Sequence, residues 1–335
     1  MNYIGIDPSA DTFTAGMFHQ GKRMGKPQTM PYTNEGIDTF LEQLEQKGYA
    51  RKDTLICVEN TGAFSELLLY RIHQKGWMVS VAEAMAVHRA FKTDGAKTDA
   101  IDSLKVAEYA YRYHDKLTLW KPHEAIIEQI KVLLTTREQL VGQRTALKNT
   151  RYMLSRKYIQ TPDANESVDT LIDQVKVQVD QIENAISRLI NSHPTLAQMV
   201  ALITTAPGAG LLLAAHLLVI TSGFQERISY RTLARHIGIA PLPHTSGKSV
   251  KRKPRARGYG PRMMRKLLHL AARSMVTHKV PFRRYYAEKL SQGKPKAVAI
   301  NNVSNRLLRI ICSMIKNKQP YKEGFVSVNP RLLST

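Results

Sequence analysis

The sequence predicts a mixed α/β domain over residues 1–120, a helical coiled coil over residues 121–192 and a mainly α, strongly basic domain over residues 193–335. Three observations lead there. The first third alternates short apolar runs with helical periods, the middle repeats leucine at every seventh position, and the excess of positive charge lies wholly in the last part. A chain of 335 residues also exceeds one typical core, so more than one domain is expected.

Taken in order, residues 2–7 form a short apolar strand ending on Asp7, and residues 12–19 continue after a turn at Pro8-Ser9-Ala10-Asp11. Residues 26–32 can make a third strand. Ile37, Phe40, Leu41 and Leu44 give residues 34–47 helical spacing, with Gly48 as the stop. The run TLICVE, residues 54–59, reads as a buried strand that again ends on an acid, Glu59. A helix over 64–74 and a strand over 77–81 lead to a helix opened by Lys97-Thr98-Asp99-Ala100-Ile101-Asp102-Ser103. This order implies a mixed sheet rather than a doubly wound dinucleotide fold, and the first strand is followed by none of the glycines of a phosphate fingerprint.

Asp99 and Asp102 are three residues apart and so share one face of that helix. An isolated pair of this kind commonly serves only the helix dipole. Asp7 and Glu59, at the ends of two strands, change the weighting, because an RNase H-like sheet would bring all four acids into one cleft. Such a set suits Mg2+, which prefers oxygen ligands and keeps several waters. Two ions about 3.5–4 Å apart can activate the attacking oxygen and stabilise the leaving one in a phosphodiester displacement. Asp11 is a rival for Asp7 but belongs to the turn.

In the middle, Leu133, Leu140, Leu147 and Leu154 form one seam and Val168, Ile172, Val175, Val179, Ile182, Ile186 and Leu189 another. A turn at Thr161-Pro162-Asp163-Ala164-Asn165 makes them an antiparallel arm or a dimerising hairpin. Arg137, Arg144 and Arg151 stand at the same heptad spacing, and two uses stay open: ion pairs with acids of the partner helix, or contact with RNA or DNA.

Residues 189–225 contain no Lys, Arg, Asp or Glu, yet Pro194, Pro207, Gly208 and Gly210 divide them into pieces too short for a bilayer. Two packed helices joined by Ala206-Pro207-Gly208-Ala209-Gly210 are expected, and plain packing is the simpler use of these glycines than a phosphate-binding hairpin. A helix over 229–239 follows. Residues 243–258 then read as a flexible loop, hydroxyls first and cations behind: Ser246, Lys248, Ser249, Lys251, Arg252, Lys253, Arg255 and Arg257. Helices over 261–279, with Arg262 and Arg265, and near 296–318 complete the chain.

The net charge is +22, and residues 201–335 carry 25 basic against 3 acidic residues, whereas the preceding 200 are balanced. A neutral front and a cationic back imply a polyanion held by the back, nucleic acid before an anionic membrane surface. Two cysteines, Cys57 and Cys312, supply neither a disulfide framework nor a zinc site, and with no visible secretory signal at the N-terminus a cytoplasmic location is expected.

Together, GID with Asp7, CVENTG with Glu59, KTDAIDS with Asp99 and Asp102, APGAG, and HTSGKSV with Ser246 resemble, in the same order, the DEDD-motif insertion-sequence transposases related to the Piv invertases. The likeness spans roughly residues 1–320. It implies an RNase H-like (RuvC-like) N-terminal domain, a coiled-coil middle and a C-terminal transposase domain that supplies Ser246 as nucleophile. It also implies a homo-oligomer guided by a structured noncoding bridge RNA that pairs with donor and target DNA. One departure stands out: Thr245 precedes the serine where family members often carry Glu. The expected activity is recombination through a covalent phosphoserine link at a Mg2+ site, and four carboxylates and a serine from distant domains imply that this site is composite. The alternatives are a hydrolytic Holliday-junction resolvase and a non-catalytic RNA- or DNA-binding scaffold. Ser246 is preferred to Ser249 because Gly247 gives its loop freedom.

Overall fold

The structure is a computed structural model that describes residues 1–91, 98–224, 229–246, 250–256 and 260–323, the side chains of 243–246 and 250–255 excepted. The chain divides into two units, Met1–Pro122 and His123–Thr335.

The first unit is built on five strands, β1 (Asn2–Pro8), β2 (Thr12–His19), β3 (Lys22–Pro31), β4 (Thr54–Asn60) and β5 (Met78–Glu83), in the order β3-β2-β1-β4-β5. β1, β2 and β3 pair antiparallel, whereas β1, β4 and β5 run parallel. This is the mixed sheet the sequence predicts, in RNase H-like strand order. Because side chains alternate along a strand, the sheet has two apolar faces. Ile4, Ile6, Phe13, Ile56 and Val58 face the helices α1 (Asn34–Gln46) and α2 (Ala63–Gln74), whose Phe40, Leu44, Leu68 and Ile72 complete that core. Thr33 caps α1 by accepting the Gly36 N–H at 3.0 Å, and the Asp38–Arg71 ion pair ties α1 to α2. On the other face Tyr3, Phe18, Leu55 and Cys57 pack against α4 (Asp99–Arg112) through Val106, Ala107 and Ala110. A short α3 (Ala84–Ala90), absent from the sequence expectation, follows β5 directly.

The second unit opens with α5 (Ala125–Leu154) and α6 (Pro162–Asn191), each 30 residues and therefore about 45 Å long. They pack as an antiparallel hairpin: Arg137 Nε meets Glu183 at 2.6 Å and Arg151 Nε meets Asp169 at 2.9 Å, so numbers rise on one helix as they fall on the other. Toward the chain ends of the hairpin Ile127, Ile130, Leu134, Ile186 and Ile190 enter the core of the unit. There α7 (Pro194–Thr204) and α8 (Leu211–Ile220) account for the uncharged stretch; α8 is apolar on every side because it is surrounded. Among the described residues no helix is long and apolar enough to cross a membrane. The helices α9 (Tyr230–Ile237), α10 (Arg262–His278), α11 (Val280–Ser291) and α12 (Lys296–Asn317) enclose the rest of this core. In the α7–α8 turn Gly208 has φ +74°, and a Cβ there would lie 2.8 Å from the Ala271 carbonyl oxygen of α10. Packing, as expected, is the use made of it.

The structure corrects one expectation outright. In place of the flexible loop expected over residues 243–258, β6 (Pro241–Ser246) and β7 (Val250–Ala256) form a two-stranded antiparallel sheet among the described residues. Its register slips between Leu242 and His244, so Pro243 and Pro254, two of its three prolines, sit at the irregularity, while Pro241 opens β6.

Candidate active site

Asp7 and Glu59 are brought together by strand register. Ile6 pairs with Val58 in the parallel β1–β4 ladder, so the next residue of each strand is an acid, and both lie on the α4 face of the sheet. Asp99 and Asp102 occupy the first turn of α4, whose N-terminus Thr98 caps by accepting the Ile101 N–H at 3.2 Å. Carboxylates there are favoured by the helix dipole.

What lets α4 approach the strand ends is a missing side chain. Gly5 and Gly16 pair across β1 and β2. A Cβ on Gly5 would run into the Ala107 nitrogen and the Ser103 oxygen, and one on Gly16 would lie 2.8 Å from the Leu104 nitrogen. Only glycine allows backbone this close.

The four acids feel one another. Burial pushes the Asp7 carboxyl up to about 7, and the charges of Glu59, Asp99 and Asp102, with a hydrogen bond to Glu59, push the same way. An Asp7 carboxyl raised in this way by burial and by neighbouring carboxylates marks a cleft that favours added positive charge. Its donors are all carboxylate oxygens, which suits a hard divalent cation. Among the described residues no three acidic, His or Cys side chains already stand at metal-ligand spacing. The fit therefore rests on donor chemistry and crowding.

Sequence reasoning missed Lys105. It is almost buried, and its Nζ lies 3.2 Å from Asp102 Oδ1. The available signal was a lysine three residues beyond Asp102 inside an otherwise apolar stretch. Glu108, also largely buried, pairs instead with Arg112 and, at 3.8 Å, with Arg23. Asp11 is exposed in the β1–β2 turn, where its carbonyl accepts the Tyr32 N–H at 2.9 Å.

The remaining candidates lie in the second unit. Ser246 ends β6, its backbone paired with Val250. Lys251, Arg252, Lys253 and Arg255 belong to β7, while Lys248, Ser249 and Arg257 lie outside the described residues. Arg262 is exposed in the first turn of α10, and Lys266 and Arg273 extend its face at helical spacing. Arg265 is differently employed: its guanidinium donates to the Gly260 carbonyl at 2.8 Å and reaches the Ile237 carbonyl at 3.4 Å, tying α10 to the end of α9. Arg137 and Arg151 make the interhelical ion pairs already described, and Arg144 is half-buried on the same stripe.

Residues 4–159 match a transposase family defined by the DEDD motif of IS110, and residues 200–287 match the IS116/IS110/IS902 transposase family. The pilin gene-inverting proteins of Moraxella lacunata and Moraxella bovis are each 26% identical over 328 residues, 95% of this chain and 97% of theirs. Among solved structures, Thermus thermophilus RuvC matches at 14% identity with a TM-score of 0.28, covering 36% of this chain and 100% of that one.

Proposed function

Because the chain belongs to the DEDD insertion-sequence transposases of the IS110 type, relatives of the pilin gene-inverting proteins, we propose that it is the recombinase that excises and inserts its own mobile element. The observation that carries this is the convergence of Glu59, Asp99 and Asp102 on Asp7. These four carboxylates would hold Mg2+, two ions in the fullest form of the reading. When bound, the metal supplies charge stabilisation at the scissile phosphate.

The nucleophile is Ser246. Its Oγ forms a bond to phosphorus as the bond to the leaving sugar oxygen breaks; the serine gives up its proton and the leaving oxygen gains one. One phosphodiester replaces another, so the bond energy is kept for rejoining. A serine hydroxyl is weak at neutral pH and needs a base or a metal to activate it. Lys248, Lys251, Arg252, Lys253, Arg255, Arg257 and Arg262 hold DNA or RNA phosphates, contacts that position rather than specify. Arg265 is left out of that set, its guanidinium being engaged by backbone carbonyls. Sequence choice then falls to a structured noncoding RNA pairing with donor and target DNA, and the protein acts as a homo-oligomer. The basic charge of residues 201–335 supports a nucleic-acid partner.

The test uses the full chain with its copurifying RNA and labelled DNA spanning the element's ends. Cleavage should require Mg2+, and a denaturing gel should show a protein–DNA adduct that Ser246→Ala loses and Ser249→Ala retains. An adduct kept by Ser246→Ala and lost by Ser249→Ala reverses the assignment. Mg2+-dependent nicking with no adduct in the wild type replaces the serine mechanism with water attack.

A further inference from the structure

Lys105 is only 9% exposed, in a helix otherwise buried by Leu104, Val106 and Ala107. It follows Asp99 and Asp102 at three-residue steps, so the three share a stripe along α4. Its ammonium lies 3.2 Å from Asp102 Oδ1. A buried ammonium is costly unless paired, and the partner here is one of the four acids of the cleft. We infer that Lys105 is a positioning residue: it holds Asp102 and offsets its charge until a divalent cation takes that carboxylate over, and so sets how tightly the cleft takes the cation.

The inference rests on the metal-dependent reading above and extends it to a residue outside the acid set. Two cations cannot share Asp102 without cost. A lysine about 6 Å from a divalent ion opposes it, even at the dielectric of water, by an amount equivalent to about a tenfold change in affinity. A lysine whose ammonium stood well away from the cleft would leave that affinity untouched.

Lys105→Met keeps the stem and removes the charge, and Lys105→Arg keeps the charge. Thermal unfolding of the full-length protein is followed at pH 8 across a Mg2+ titration, beside Asp102→Asn. The expected result is a half-saturating Mg2+ concentration about tenfold lower in Lys105→Met than in wild type, close to wild type in Lys105→Arg, and far higher or lost in Asp102→Asn. Should Lys105→Met not fold, Lys105→Gln takes its place in the same titration. An unchanged or raised half-saturation in the neutral variant, with wild type responding and Asp102→Asn not, overturns the role of Lys105 alone. A wild type that shows no Mg2+ response overturns the metal reading and this inference with it.

Discussion

Replacing Asp7 with Asn should make the protein more stable at pH 8 in the absence of metal, although the substitution removes a residue of the candidate active site. The reason is the direction of the Asp7 shift. Burial and three neighbouring acids raise its carboxyl from 3.8 to about 7 in the folded protein. Between those values the folded state holds a proton that the unfolded chain has released, so the stability contributed by this group is full below pH ~4 and is lost as pH rises through ~7. A shift of about three pK units corresponds to about 4 kcal/mol. Asp7 is half-buried and its neighbours relax, and screening by solvent brings the expected loss to about 1–3 kcal/mol. Asn cannot ionise, so Asp7→Asn should match the wild type near pH 4 and exceed it by that margin at pH 8. Urea unfolding in EDTA, followed by far-ultraviolet circular dichroism at both pH values, measures the difference. Adding Mg2+ at pH 8 should restore the wild type and do less for the variant. A difference that stays flat from pH 4 to pH 8 would show that neither burial nor the acids around Asp7 raise its carboxyl, and the argument for a cation-seeking cleft would fall.

Gly5→Ala should cost about 1–3 kcal/mol, the range for overpacking, and should abolish strand cleavage while nucleic-acid binding persists, because the added methyl meets the backbone of α4 beside Ser103 and Ala107. Thermal melts with a nicking assay check both; Gly142→Ala, where nothing lies within 4 Å, is the control and should stabilise α5 by up to about 1 kcal/mol. Neutralising Lys251, Arg252, Lys253 and Arg255 together should weaken binding to unrelated sequences and lower the log–log salt slope by about 0.7–0.9 per lost phosphate contact. Arg265→Ala should instead lower the melting temperature with little change in that slope, since its donors are engaged by the Gly260 and Ile237 carbonyls.

The acids were legible because their signals are local: Asp99 and Asp102 follow a capping threonine, and Asp7 and Glu59 end apolar runs whose pairing a mixed sheet dictates. The two long helices of the hairpin were legible for the same reason, as a period within one segment. What escaped depends on contacts far apart in the chain. The need for Gly5 is apparent only once α4 is laid across it. Arg265 reads in sequence as one more cation of a basic run, and only the fold reveals that the carbonyls of Ile237, at the end of α9, and of Gly260, just before α10, occupy it. The sheet of β6 and β7 was hidden by prolines and like charges, which are poor strand signals until Pro243 and Pro254 are seen to fall at one irregularity. Lys105 was passed over because a lysine in an apolar helix pattern is ordinarily a solvated one.

The pairing of Gly5 with Gly16 bears on which ion such a cleft could accept. Oxygen ligands sit at about 2.0–2.1 Å from Mg2+ and at about 2.3–2.6 Å from Ca2+, so the two ions differ by only about half an ångström at each ligand. Putting a methyl in place of a single hydrogen on Gly5 adds a carbon about 1.5 Å from Cα, several times that difference, directly beneath the helix that carries two of the four proposed ligands. The bore of the cleft is thus gauged from behind, by two residues that would never touch the ion. Ion choice in a protein of this kind could be retuned, or spoiled, without altering one carboxylate.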